Sequence, residues 1–288
     1  DGQNATSASF TYHAWDRSTG TAGSLASLAA TGGTTAFSPT TNTATIAVSA
    51  VNDAPVLAAG DSTLISITED DTANAGELVS ALRGATTDAD SGAVQGVAIT
   101  GLDAGNGSWQ YSTDGGTSWH SVSGSVSASN ALLLADSDRI RFVPNGENAT
   151  SASLNYRAWD HSAGSAGNYA DTSINGGTSA FSSQQNSMAI AVTAVNDAPL
   201  LAAAAPTLTP LTEDDIANPG QTVASFLGST GSDVDAGALG GIAITATNDG
   251  NGSWQYSTDG GTSWHTVSGV SASNALLLAD SDRIRFVP

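Results

Sequence analysis

Carboxylates gathered in turn-like clusters are the residues of this chain best suited to chemistry. Asn52-Asp53, Glu69-Asp70-Asp71, Asp88-Ala89-Asp90-Ser91-Gly92 and Asp16 recur as Asn196-Asp197, Glu213-Asp214-Asp215, Asp233-Val234-Asp235-Ala236-Gly237 and Asp160. Such sets suit a hard, oxygen-seeking cation. Calcium takes about 6–8 oxygens from carboxylates, Asn side chains and backbone carbonyls. Asp and Gly also make ordinary turns with no ion present. The helix–loop–helix calcium motif is excluded, because neither Asp-x-Asp-x-Gly copy carries the Glu required at the twelfth position.

Other chemistries find little support. With no Cys there is neither disulfide nor thiolate metal site, and with no Lys there is no Schiff base, Walker-type phosphate loop or Lys-to-Asn isopeptide. Of the four His, His13 maps onto Arg157 and His161 onto Arg17 in the internal repeat, so no metal-ligating spacing emerges. No Ser lies in a nucleophile elbow, and no enzyme activity is expected. The net charge of -20 excludes nucleic acid and anionic membrane surfaces, which need clustered cations. No apolar run approaches the ~20 residues of a membrane helix, and the N-terminus lacks a secretion-signal pattern. The chain reads as an excerpt.

The elements that position the acids follow from an internal repeat. Val126–Pro144 recurs letter for letter as Val270–Pro288, and Gly105–His120 as Gly250–His265, giving a period of 144 residues. The punctuation Asn-Asp-Ala-Pro sets the phase. Residues 53–196 then form one complete unit, 1–52 the C-terminal part of a preceding one and 197–288 the N-terminal part of a following one. Alternation marks strands: Ile140 and Phe142 against Arg139 and Arg141, Leu154, Tyr156 and Ala158 against Asn155 and Arg157, Ile190 and Val192 against Ala191 and Thr193. Further short runs lie at 64–67, 94–100, 108–112, 119–122 and 131–134. Many short strands without helical stretches predict an all-β, Greek-key sandwich of the immunoglobulin type. The length of the unit requires an insert, placed at 162–178.

Val51-Asn52-Asp53-Ala54-Pro55, the following Thr68-Glu69-Asp70 and the Asp88-Ala89-Asp90 turn resemble the cadherin-like tandem repeats of giant bacterial surface and RTX-type adhesins, over the whole period. The resemblance implies Ca2+ at the junctions between consecutive sandwiches. By position it implies Asp16, Asn52, Asp53, Asp88 and Asp90 at the first junction. At the second it implies Glu69, Asp160, Asn196, Asp197, Asp233 and Asp235. The linker lacks the second Asn of the family's Asn-Asp-Asn-Ala-Pro, and Asp16-Arg17-Ser18 stands where cadherins have Asp-Arg-Glu.

The stretch Ser112–Trp119, repeated at Ser257–Trp264, resembles the Asp-box hairpin of sialidases, in which Asp and Gly make the turn and Trp anchors it. Its aromatic residues Trp109, Tyr111, Trp119 and His120 offer a possible ledge for a glycan, the basis of an alternative reading as a carbohydrate-binding module. The leading expectation is a calcium-rigidified stalk or filament of an extracellular, cell-surface or secreted fibrous protein. Its partners would be adjacent copies of the same repeat, in a covalent array or by head-to-tail strand complementation.

Overall fold

A computed structural model describes residues 4–288; Asp1–Gln3 of the expected 1–52 part lie outside the described residues. The chain is nearly all-β, with several sheets in an arrangement consistent with a β-sandwich. It divides into two compact units. The first holds the residues through Ile65 together with Ala73–Val143 and Ser151–Ile190. The second holds Ser66–Thr72, Pro144–Thr150 and Ala191–Pro288.

In the first unit, alternation resolves into two sheets. One runs Tyr169–Ala170, Ala131–Ala135, Gly96–Asp103, Thr150–Trp159, Asn186–Thr193, Ser62–Thr63, the last pairing parallel; in the second unit Ile67–Thr68 pairs with Val192–Thr193. The other runs His120–Ser121, Gly107–Ser112, Arg139–Pro144, Glu77–Leu78. Ile140, Phe142, Leu154, Tyr156, Met188, Ile190 and Val192 are buried, so the inward phase of each strand is the one read from the sequence. Trp109 meets Phe142 edge-to-face in this core, ring centroids 5.3 Å apart.

Leu132, Leu133 and Leu134 are all fully buried, a run that requires cover on both faces of its sheet. The outer cover comes from the segment expected as an insert. Leu133 belongs to a cluster with Ala98, Ala131, Trp159, Ala180 and Phe181, against which Ala166 and Ala170 pack. The indole N–H of Trp159 donates to Ala163 O at 2.7 Å and closes the turn that sends the chain back over the sheet.

The absence of helix does not hold throughout. Single turns form at Val79–Leu82 and Val223–Leu227. In the first, Val79 and Leu82 are buried, and the Tyr156 hydroxyl donates to Arg83 O at 2.9 Å. Turns of four and five residues give too short a signal for a helical period to register.

The N-terminal part of the first unit is a long hairpin, Thr6–Trp15 paired antiparallel with Phe37–Val48. In the second unit, Gln221–Thr222, Arg283–Val287, Ser253–Ser257 and His265–Thr266 form a four-stranded sheet, and Gly241–Ile244 pairs with Leu276–Ala279.

Candidate metal centre

Two acidic clusters assemble from the predicted residues, one within each unit. In the first, Asp88 and Asp90 lie on a tight turn in which the Asp88 carboxylate accepts from Asp90 N at 2.8 Å. Asp90 in turn accepts from Asp53 N at 2.8 Å, pinning the Pro-terminated linker to that turn. The Asn52 side chain donates to Asp160 Oδ2 at 3.0 Å and to Ser179 O at 3.1 Å. Asp88 Oδ2 is buried without a hydrogen-bond partner. Burial pushes the Asp88 carboxyl above its ordinary value, and the nearby charges of Asp160, Asp90 and Asp53 add to the rise.

The second cluster repeats the linker geometry. Asp235 N donates to Asp233 Oδ1 at 2.9 Å, and Asp197 N to Asp235 Oδ2 at 3.0 Å. Asn196 turns its amide onto Asp197 O at 2.8 Å. Glu69 joins from the turn after Ile67–Thr68, whose pairing with Val192–Thr193 carries it to the linker. Its side chain is fully buried; Oε1 accepts from Val195 N at 2.7 Å, while Oε2 has no hydrogen-bond partner. Asp197 Oδ2 is likewise buried and unpartnered. Ligand oxygens of Glu69, Asp197 and Asp235 lie within 4.8 Å of one another, the one such group among the described residues. That is no wider than two oxygens can stand across one calcium ion at about 2.4 Å each. Desolvation and the charges of Asp235, Asp70, Glu69 and Asp233 hold the Asp197 carboxyl above its ordinary range.

Two assignments change. Asp160 sits with Asn52 in the first cluster, not with Asn196 and Asp197 in the second. It approaches the linker that precedes its own strands, because the Trp159–Phe181 bridge and the bond from Asp160 N to Ala180 O hold it at that end of the sheet. Asp16 belongs to neither cluster. It is exposed and accepts from Ser18 N at 2.8 Å, and its bonds to Ser18 lower its pKa.

Asn148 was missed as a site residue. Its amide donates to Val234 O at 3.0 Å and its carbonyl accepts from Ala236 N at 2.7 Å, bracketing the Asp233–Asp235 turn. Asn4 grips Ala89 O and Ser91 N in the same way. Recurrence of Asn-Ala-Thr at 4–6 and 148–150 was the available signal.

The glycan ledge loses its main surface. Trp109 is 1 % exposed, with its indole N–H on Asp103 O at 2.9 Å, and Tyr111 is buried too. Both side chains point inward because alternation puts Trp109 and Tyr111 on the core face of one strand. Trp119 is half-buried beneath the Arg141 guanidinium, 4.0 Å from its ring centroid, which leaves His120 as the one exposed member. Asp114 is engaged in the turn itself, accepting from Ser112 Oγ and from the Ser118 backbone and hydroxyl.

No helix among the described residues is long and apolar enough to cross a membrane. Comparison with family models, with curated proteins and with solved structures finds no match to this chain.

Proposed function

We propose that this chain is a stretch of tandem cadherin-like, immunoglobulin-type Greek-key repeats, stiffened by calcium and serving outside the cell as a stalk or adhesive filament without enzymatic activity. The observation that carries the reading is Glu69, a fully buried carboxylate with one unpartnered oxygen converging on Asp197 and Asp235. A buried charge is costly unless paired, and these three groups share one sign. A divalent cation resolves both difficulties. Glu69, Asp197 and Asp235 would hold it, and Asn52, Asp53, Asp88, Asp90 and Asp160 would hold a second ion. Bound calcium supplies charge neutralisation and a crosslink among a strand-end turn, a linker and an Asp-x-Asp turn. The setting outside the cell follows from the calcium such a device needs.

Isothermal titration of the chelator-treated chain with calcium tests the reading, together with X-ray scattering in chelator and in calcium. Binding accompanied by an increased maximum dimension is the expected result. An absence of binding heat and an unchanged scattering profile would remove the basis for the proposal.

A further inference from the structure

We propose that Asn148 is a positioning residue for the second acidic cluster, an amide latch that holds the Asp233–Asp235 turn in shape with no cation present, and that Asn4 does the same for the Asp88–Asp90 turn. Asn148 lies in the loop before the strand Thr150–Trp159, and the two backbone groups it grips are 86 and 88 residues away. Its Nδ2 donates to Val234 O at 3.0 Å and its Oδ1 accepts from Ala236 N at 2.7 Å. Asn4 makes the same pair of bonds, to Ala89 O at 3.5 Å and from Ser91 N at 3.0 Å. A carboxamide carries a donor and an acceptor side by side, and a flipped amide would set like against like at both ends. Every partner is a main-chain atom, so the contact is indifferent to the side chains there. The two copies differ at those positions, Ala89 against Val234 and Ser91 against Ala236, yet the bonds recur.

The latch occupies no carboxylate oxygen. Within the turn, Asp233 Oδ1 accepts from Asp235 N at 2.9 Å and Asp235 Oδ2 from Asp197 N at 3.0 Å. A cation drawing on those carboxylates competes with both bonds, whereas the two made by Asn148 stand clear of it. In the metal-free chain the like charges of Glu69, Asp197 and Asp235, whose ligand oxygens lie within 4.8 Å of one another, push the turn outward. A neutral amide resists that push without adding to it.

The approach of Asn148 is itself ordered. Asn145 Oδ1 accepts from Glu147 N at 3.2 Å, and Asn145 Nδ2 donates to the Glu147 carboxylate at 3.3 Å. A Cβ added at Gly146 would stand 3.9 Å from Glu69 O, so one short loop lies against the Glu69 turn and grips the Asp233–Asp235 turn. Two sources of carboxylate are thus tied together before any ion arrives. A preformed site loses less freedom on binding, and groups that orient metal ligands change affinity by about 10–100-fold. That consequence for calcium rests on the function proposed above; the latch does not.

Hydrogen exchange read by NMR, with calcium titration, tests the assignment on the whole chain. In chelator the Ala236 N–H of the parent should exchange slowly. Asn148→Ala should lose that protection while keeping it in the strands Ser253–Ser257 and Arg283–Val287, and should bind calcium at the second cluster about 10–100-fold more weakly. Asn148→Asp separates a latch from a ligand. Its carboxylate can still accept from Ala236 N but brings no donor to Val234 O, so a latch is weakened, whereas a direct ligand gains charge and tightens binding. Should Asn148→Ala unfold its unit, Asn4→Ala at an exposed position reads the same effect at the Ser91 N–H. Fast exchange at Ala236 in the metal-free parent, protection unchanged by either Ala variant, or tighter calcium binding by Asn148→Asp would each overturn the proposal. A parent that binds no calcium, yet shows local protection that the Ala variants lose, removes the calcium reading and upholds the latch.

Discussion

Replacing Glu69 with Gln should reverse its effect between metal-free and calcium-loaded protein. The Val195 N–H keeps an oxygen to donate to, because an amide carbonyl can occupy the place of Oε1. At the other position, an unpartnered carboxylate oxygen becomes an amide N–H group that can turn toward the carboxylates of Asp197 and Asp235, whose ligand oxygens lie within 4.8 Å of that of Glu69. A hydrogen bond to a charged group is worth about 1.5–3 kcal/mol, so in chelator the variant should be more stable than the parent. In calcium the order inverts. At a hundredfold excess over Kd, one bound ion contributes about 2.7 kcal/mol. For a domain of about 150–250 residues each kcal/mol moves Tm by about 2–4 °C, so the cluster should supply a rise of about 5–11 °C that the variant loses. The cluster of Asp53, Asp88, Asp90 and Asp160 lies in the other unit and should keep its own response. Calorimetric melts of parent and variant, in chelator and in calcium, read both signs. A variant less stable than the parent in chelator that also retains the full calcium-induced rise would refute the reasoning.

Asp160→Asn should weaken calcium binding at the first cluster whereas Asp16→Asn should leave it unchanged, a contrast read by titration calorimetry, because Asp160 alone of the pair reaches Asn52. Trp109→Ala should cost about 3–5 kcal/mol in denaturant unfolding, the range for removing a large aromatic from a packed core. Gly107→Ala should destabilise by at least about 1–3 kcal/mol through overpacking, since an added Cβ meets Phe142 and Val143 O, the latter fixed in its ladder. The Asp114 and Asp259 carboxyls are held well below 3.8, first by the side-chain hydrogen bonds from Ser118 and Ser263. A depressed carboxyl contributes stability that is fully present above the unfolded-state pKa and is lost as pH falls through the folded one. Acid melts below pH 3.8 should therefore lose less stability in a Ser118→Ala, Ser263→Ala double variant than in the parent, whose turns at Ser112–Trp119 and Ser257–Trp264 forfeit those bonds on protonation.

Strand identity and inward phase were legible from the sequence because a strand's side-chain period is local. Ile140, Phe142, Leu154 and Ile190 declare their face by alternation with polar neighbours a residue away. The Asp-x-Asp turns were legible for the same reason, since Asp90 N on Asp88 and Asp235 N on Asp233 are bonds between residues two apart. Partnerships across the fold were not. Asp160 meets Asn52 over a separation of 108 residues, and Val195 N reaches Glu69 over 126. Nothing in either local sequence says which turn a strand end will approach; sheet order decides that. Burial of Glu69 and the sealing of Trp109 likewise depend on what packs from the opposite side. The chain alone therefore determined which residues could form turns rich in carboxylate and which strand faces were apolar. Tertiary structure alone decided which carboxylates share a space and which aromatic rings see water, because charge and burial depend on distances between segments remote in sequence.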